Sequence, residues 1–141
     1  MRITVDTNVL ISATFWYGDS NEIINRVERK EFELVLSPEI LEEFALVLQS
    51  KEIQDKVSNK NLQMKETVQK ITSLSALVTP RLRLDIIDDD PSDNKVLECA
   101  KAGKADYIIS NDNHIMALRK FENIRILSSR QFIDKIRNGY F

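Results

Sequence analysis

Short apolar runs, each leading through a polar turn into a stretch of helical periodicity, constrain this chain more than any other feature. They are Ile3-Thr4-Val5, Glu33-Leu34-Val35-Leu36, Tyr107-Ile108-Ile109-Ser110 and Ile124-Arg125-Ile126-Leu127. Strands this apolar do not suit a sheet with one wet face. Their alternation with helices predicts the α/β class, a three-layer α/β/α sandwich with a parallel sheet covered on both sides. No linker, repeat or biased tract interrupts the pattern, so a single domain over 1–141 is expected.

Between the runs the helical segments announce their ends. The first run meets Asp6-Thr7-Asn8 and resumes with Val9-Leu10-Ile11, which reads as a strand ending in a polar turn, and a helix follows over about 21–31. Ser37-Pro38 is a strong helix start, with Ser as N-cap and Pro in the first position. That helix carries Ile40, Leu41, Phe44, Val47 and Leu48 and continues, broken near 50–61, to about Leu77. Asp90-Pro91 reads as a second helix start, Val96, Leu97 and Ala100 as its inner face, and Gly103 as its stop. After an Asn111-Asp112 turn, Ile115, Met116, Leu118 and Phe121 mark another helix, and 130–137 closes the chain as a last one.

Composition narrows the function classes. With 141 residues, of which 43% are hydrophobic, the chain can build a core without disulfide or metal staples. Its lone Cys99 excludes a disulfide scaffold within the chain and reads as a small helix hydrophobe. No apolar run approaches the roughly 18 residues that span a bilayer, and Asp6 arrives too early for the apolar core of a signal peptide. A cytoplasmic setting without a membrane partner is therefore expected. The net charge of −2 is unevenly spread: residues 1–100 carry 12 basic and 18 acidic side chains, and residues 101–141 carry 8 and 4. Such asymmetry permits a polyanionic partner without requiring one.

The acids matter by position. Ligands of open parallel sheets bind beyond the carboxyl ends of the strands, where strand-to-helix loops and helix N-termini gather. Asp6 ends the first strand, Asp112 follows the Tyr107–Ser110 strand, and Asp93 falls in the first turn after Asp90-Pro91. On the helix begun by Ser37, about 100° per residue places Glu43 at about −100° from Phe44 and Glu42 near 160°. Glu42 then faces water, and Glu43 borders the buried seam.

Carboxylates converging from Asp6, Glu43, Asp93 and Asp112 repel one another by several kcal/mol unless a cation neutralises them or some take up protons. An all-oxygen set without a His or Cys cluster favours Mg²⁺ or Mn²⁺ over zinc. Such ions bind a phosphodiester, activate water and stabilise a leaving oxygen. Each residue also has a plainer explanation: a helix-end charge for Asp93 and Glu43, an N-cap for Asp112. Asp6, an acid between two apolar runs, is the hardest to explain without a partner.

Thr7 and Asn8 could orient the Asp6 carboxylate, or only close a turn. Asn94, Lys95 and His114 are candidates for substrate contact, with a solvent-facing helix position the plainer reading of His114. Phe15-Trp16-Tyr17 fits packing or a subunit interface better than base stacking, and Asp85, Asp88 and Asp89 read as an exposed acidic loop.

Taken in order, Val5-Asp6-Thr7-Asn8-Val9-Leu10, Ser37-Pro38-Glu39-Ile40-Leu41-Glu42-Glu43-Phe44, Asp90-Pro91-Ser92-Asp93-Asn94 and Ala105-Asp106-Tyr107-Ile108-Ile109-Ser110-Asn111-Asp112 resemble the acidic motifs of PIN domains. The likeness is to the prokaryotic branch of VapC-like toxins of toxin–antitoxin systems and covers essentially the whole chain. It implies a parallel sheet of about five strands and a Mg²⁺- or Mn²⁺-dependent endoribonuclease leaving 5′-phosphate and 3′-hydroxyl ends. Asp6, Glu43, Asp93 and Asp112 match the catalytic, metal-binding quartet, and Asn8 matches the polar residue supporting the first acid. Ser110 stands where the family often has Thr. Asn113 and His114 stand where many members place a further acid, which implies a weak or absent second metal site. An RNA substrate, a cognate antitoxin and a homodimer are further implications of the resemblance.

Two other readings stay open. Asp6 at a strand end could act as an aspartyl-phosphate nucleophile, although Asp6-Thr7-Asn8 lacks the second acid two residues on that such hydrolases use. A PIN-like module that has lost tight metal binding could instead bind RNA or protein without cutting.

Overall fold

A computed structural model describes residues 1–57, 64–87 and 93–139. Strand β1 (Arg2–Val5) is followed by helices α1 (Thr7–Phe15) and α2 (Asp19–Glu28), then β2 (Glu33–Leu36) and α3 (Pro38–Leu48). Next come α4 (Lys51–Val57), α5 (Met64–Leu74), β3 (Ser75–Leu77), α6 (Asn94–Ala102) and β4 (Tyr107–Ile109). The chain finishes with α7 (Asn113–Met116), β5 (Lys120–Phe121), β6 (Ile124–Leu127) and α8 (Ser129–Asn138).

The sheet has six strands in the order β3-β2-β1-β4-β6-β5. Strands β3, β2, β1, β4 and β6 are mutually parallel, and β5 joins the edge antiparallel to β6. The parallel part is the expected five strands, and β5 is the addition. Central residues Ile3, Val5, Leu34, Leu36, Ile108 and Ile109 have no exposed surface. Burial on both sides is what their unbroken hydrophobicity demands.

Several elements differ from the sequence reading. Val9-Leu10-Ile11 is helical: α1 starts directly after β1, with the Asp6 carboxylate accepting the Val9 amide at 2.9 Å as an N-cap. Helix α2 begins at Asp19, ahead of the expected 21, and ends at Glu28. The segment expected to run as helix to Leu77 turns to strand at Ser75 and pairs with β2, and Phe121 lies in β5 instead of a helix. The Asp90-Pro91 start and Asp88-Asp89 lie outside the described residues; Asp85 is exposed as expected.

Helix ends follow local chemistry. Ser37 caps α3 with Pro38 behind it, Gly103 closes α6, and Ser128 with Gln131 forms a reciprocal capping box on α8. Gly103 is closely enclosed: a Cβ there would come within 2.9 Å of Val35 Cγ2, so α6 packs tightly over β2. Cys99 is buried on α6 beside Thr4, and burial pushes its thiol up to about 11, as befits a core residue. Phe15 is buried and meets Trp16 edge-on at 5.8 Å, whereas Tyr17 projects fully into solvent. Among the described residues no helix is long and apolar enough to cross a membrane.

Candidate metal centre

The register of β1 against β4 builds the centre. Val5 pairs with Ile109, which brings the residues after them, Asp6 and Ser110, side by side at the carboxyl edge of the sheet. The Asp6 amide continues the ladder to the Ile109 carbonyl at 3.2 Å. The Ser110 hydroxyl donates to Asp6 Oδ2, while Asp6 Oδ1 is held by the Val9 amide. Orientation of Asp6 thus comes from Ser110 and the first turn of α1. Thr7 and Asn8 line the adjoining cleft together with Asp6, Glu43, Asp93 and Lys95, over an apolar floor of Ile40, Val96 and Ile115.

Asp6 is 8% exposed. Burial, opposed by the bonds from Ser110 and Val9, pushes its carboxyl from the ordinary 3.8 up to about 6, and the charges of Asp112 and Glu43 add to the rise. Removal from water thus outweighs what its own hydrogen bonds return to the charged form.

Asp112 follows β4 and caps α7, its Oδ1 accepting the amides of His114 at 2.9 Å and Ile115 at 3.2 Å. Asp93 sits immediately before α6. Asp93, Asp112 and His114 each offer one donor atom, and these atoms all lie within 4.8 Å of one another. Such a group of two carboxylates and an imidazole can coordinate a divalent metal ion. His114 belongs to the group because the chain turns at Asp112, a relationship that the lone histidine of the sequence did not betray; the signal was its spacing of two from an acid at a strand end.

The remaining candidates divide. Glu43 reaches the cleft, half-buried, while its neighbour Glu42 is exposed, as the angular argument placed them. Glu43 Oε2 stands 3.7 Å from the Lys95 ammonium. Asn94 corrects the substrate-contact expectation: it is 3% exposed, and its amide accepts from Ile86 and Ile87 and donates to the Ile87 carbonyl. One turn on, buried Glu98 accepts the Leu84 amide at 2.8 Å and meets Arg83 at 3.2 Å. Together these side chains fasten 83–87 along α6, a structural role that the sequence analysis did not foresee: it took Asn94 for a substrate contact and gave Glu98 no role.

Comparisons with known proteins agree with this architecture. Sequence comparison with curated proteins returns no match at the level required. The structure of VapBC2 from Rickettsia felis, bound to a DNA fragment from its promoter, aligns with TM-score 0.58 at 16% identity, over 91% of this chain and 98% of that one. PAE2754 from Pyrobaculum aerophilum aligns with TM-score 0.56 at 10% identity, over 98% of this chain and 90% of that one. At these identities the likeness is one of fold. A family model described as the PIN domain matches residues 2–114, which takes in every acid of the cleft and His114, and so the chain belongs to the PIN-domain family.

Proposed function

We propose that the protein is a metal-dependent endoribonuclease. The observation that carries the reading is the convergence of Asp93, Asp112 and His114 donors within 4.8 Å, beside an Asp6 whose carboxyl is raised by burial and further by the charges of Asp112 and Glu43. Asp93, Asp112 and His114 would hold a Mg²⁺ or Mn²⁺ ion, with Asp6 and Glu43 contributing charge from the cleft. When bound, the ion supplies a phosphodiester-binding charge, an activated water and stabilisation of the leaving oxygen.

The chain's own residues do the rest. Ser110 fixes Asp6, and through the Asp112 amide, which donates to its Oγ at 3.0 Å, fixes the start of α7 as well. Asp6, once ionised, accepts protons or orients water from a fixed direction. Lys95, facing the cleft, offers a cation to a backbone phosphate once it exchanges its Glu43 partner for substrate.

Membership of the family and the likeness to VapBC2 support a toxin held silent by an antitoxin protein; a homodimer and a cytoplasmic setting belong to the same proposal. One observation favours a second reading. The Lys95–Glu43 pair already compensates one acid of the cleft, as a PIN-like module that binds RNA or protein without cutting would allow. The deciding experiment is incubation of purified protein with RNA and Mn²⁺ or Mg²⁺. Cleavage that stops with EDTA or with Asp93→Asn supports the nuclease; intact RNA at millimolar metal supports the module, and metal-independent cutting overturns the mechanism.

A further inference from the structure

We propose that His114 is itself a ligand of the ion and that its ring nitrogen makes the site prefer transition-metal ions such as Mn²⁺ and Co²⁺ over Mg²⁺. This rests on the metal-dependent reading and deepens it. Two ligands on opposite sides of an ion, each bonded at about 2.1 Å, stand about 4.2 Å apart. The Asp93, Asp112 and His114 donors, all within 4.8 Å of one another, therefore need only small side-chain adjustments to share one ion. His114 Nδ1 is already 3.9 Å from Asp112 Oδ1, inside that span.

Backbone geometry keeps the pair together. Asp112 Oδ1 accepts the amide of His114, so carboxylate and imidazole are anchored to the same turn. The ring is half-exposed and can rotate towards an ion without disturbing the core. Glu43, the alternative donor from α3, has its Oε2 3.7 Å from the Lys95 ammonium, whose charge competes with an ion for that carboxylate. The donor that joins Asp93 and Asp112 within 4.8 Å is the His114 nitrogen. Mg²⁺ strongly prefers oxygen, whereas imidazole suits later divalent ions, so a nitrogen in the set tilts selectivity away from Mg²⁺.

The test uses the full chain loaded with Mn²⁺ alone, examined by electron spin-echo modulation, which detects directly bound ¹⁴N. The expected result is nitrogen modulation in the wild type and its loss in His114→Ala. Calorimetric titrations run in parallel: the variant loses Mn²⁺ and Co²⁺ affinity on the order of tenfold or more, with Mg²⁺ affinity nearly unchanged. Bound Mn²⁺ without nitrogen modulation, with the same ion preference in the variant, overturns the role of His114 and leaves the metal-dependent reading standing. Failure of the wild type to bind any of the three ions at millimolar concentration overturns both.

Discussion

Ser110 donates its hydroxyl to Asp6 Oδ2 and accepts the amide of Asp112 on the same oxygen, at 3.0 Å, so one small side chain ties together the acids that end β1 and follow β4. Removing the hydroxyl in Ser110→Ala takes away a bond that favours ionised Asp6. The Asp6 carboxyl then rises further, and the acid limb of the pH–rate profile moves to higher pH. Ser110→Thr keeps the oxygen and should keep the profile; RNA cleavage measured against pH checks both.

Asp6 also sets a pH dependence of stability. Its folded value of about 6 lies above the ordinary 3.8, so the native state binds the proton more tightly than the unfolded chain. The stability this lends is complete below the ordinary value and is lost as pH rises through the folded one, a cost of about 3 kcal/mol to the metal-free fold at neutral pH. Asp6→Asn should therefore melt higher than wild type in EDTA at pH 7.5, with the advantage gone below pH 3.8. Thermal melts across pH decide it, and equal melting at pH 7.5 counts against the charge argument.

Metal should stabilise the wild type by binding only the folded state. At an ion concentration of about 100 times Kd the gain is about 2.7 kcal/mol, which EDTA reverses. Asp93→Asn should lose most of this rise in melting temperature, as scanning calorimetry can show.

Asn94 makes a different prediction. Its amide bonds to the backbone of Ile86 and Ile87, in part within the core. Asn94→Ala leaves buried backbone groups unmet, a loss of roughly 1–3 kcal/mol. Urea unfolding should register it, and faster amide exchange at Ile87 should locate it.

Lys95→Ala removes the cation beside Glu43. Divalent-ion affinity should rise a few-fold while RNA affinity falls and becomes less salt-dependent. Calorimetry and filter binding at two salt concentrations measure the two effects separately, and a change of both in the same direction contradicts the proposed exchange.

What could be read from the sequence was local capping chemistry and one-sided burial. The Ser37-Pro38 start and the Gly103 stop were legible as helix ends, and the contrast between Glu42 and Glu43 because α3 buries only the face of Ile40, Phe44 and Leu48. Helix α1 was not, because Val9, Leu10, Ile11, Ala13 and Phe15 are all buried and leave no polar stripe to betray a helical period. The strands β3 and β5 are too short for alternation to show. Part of the centre was hidden too: the sequence brought Asp93 and Asp112 to one edge but read His114 as a substrate contact or a solvent-facing residue, and only the fold puts its ring within reach of both acids. Asn94 was misread because a buried polar residue looks accessible until its partners are known.

The borders of the sheet have a consequence beyond the site. Its inner strands are almost wholly apolar, the composition that stacks readily into fibrils when left uncovered. Yet the outermost strands are only the three residues of β3 and the two of β5, the latter with Lys120 exposed. A passing copy of the chain finds almost no free backbone to add itself to, and the fold is thereby guarded against templated self-association.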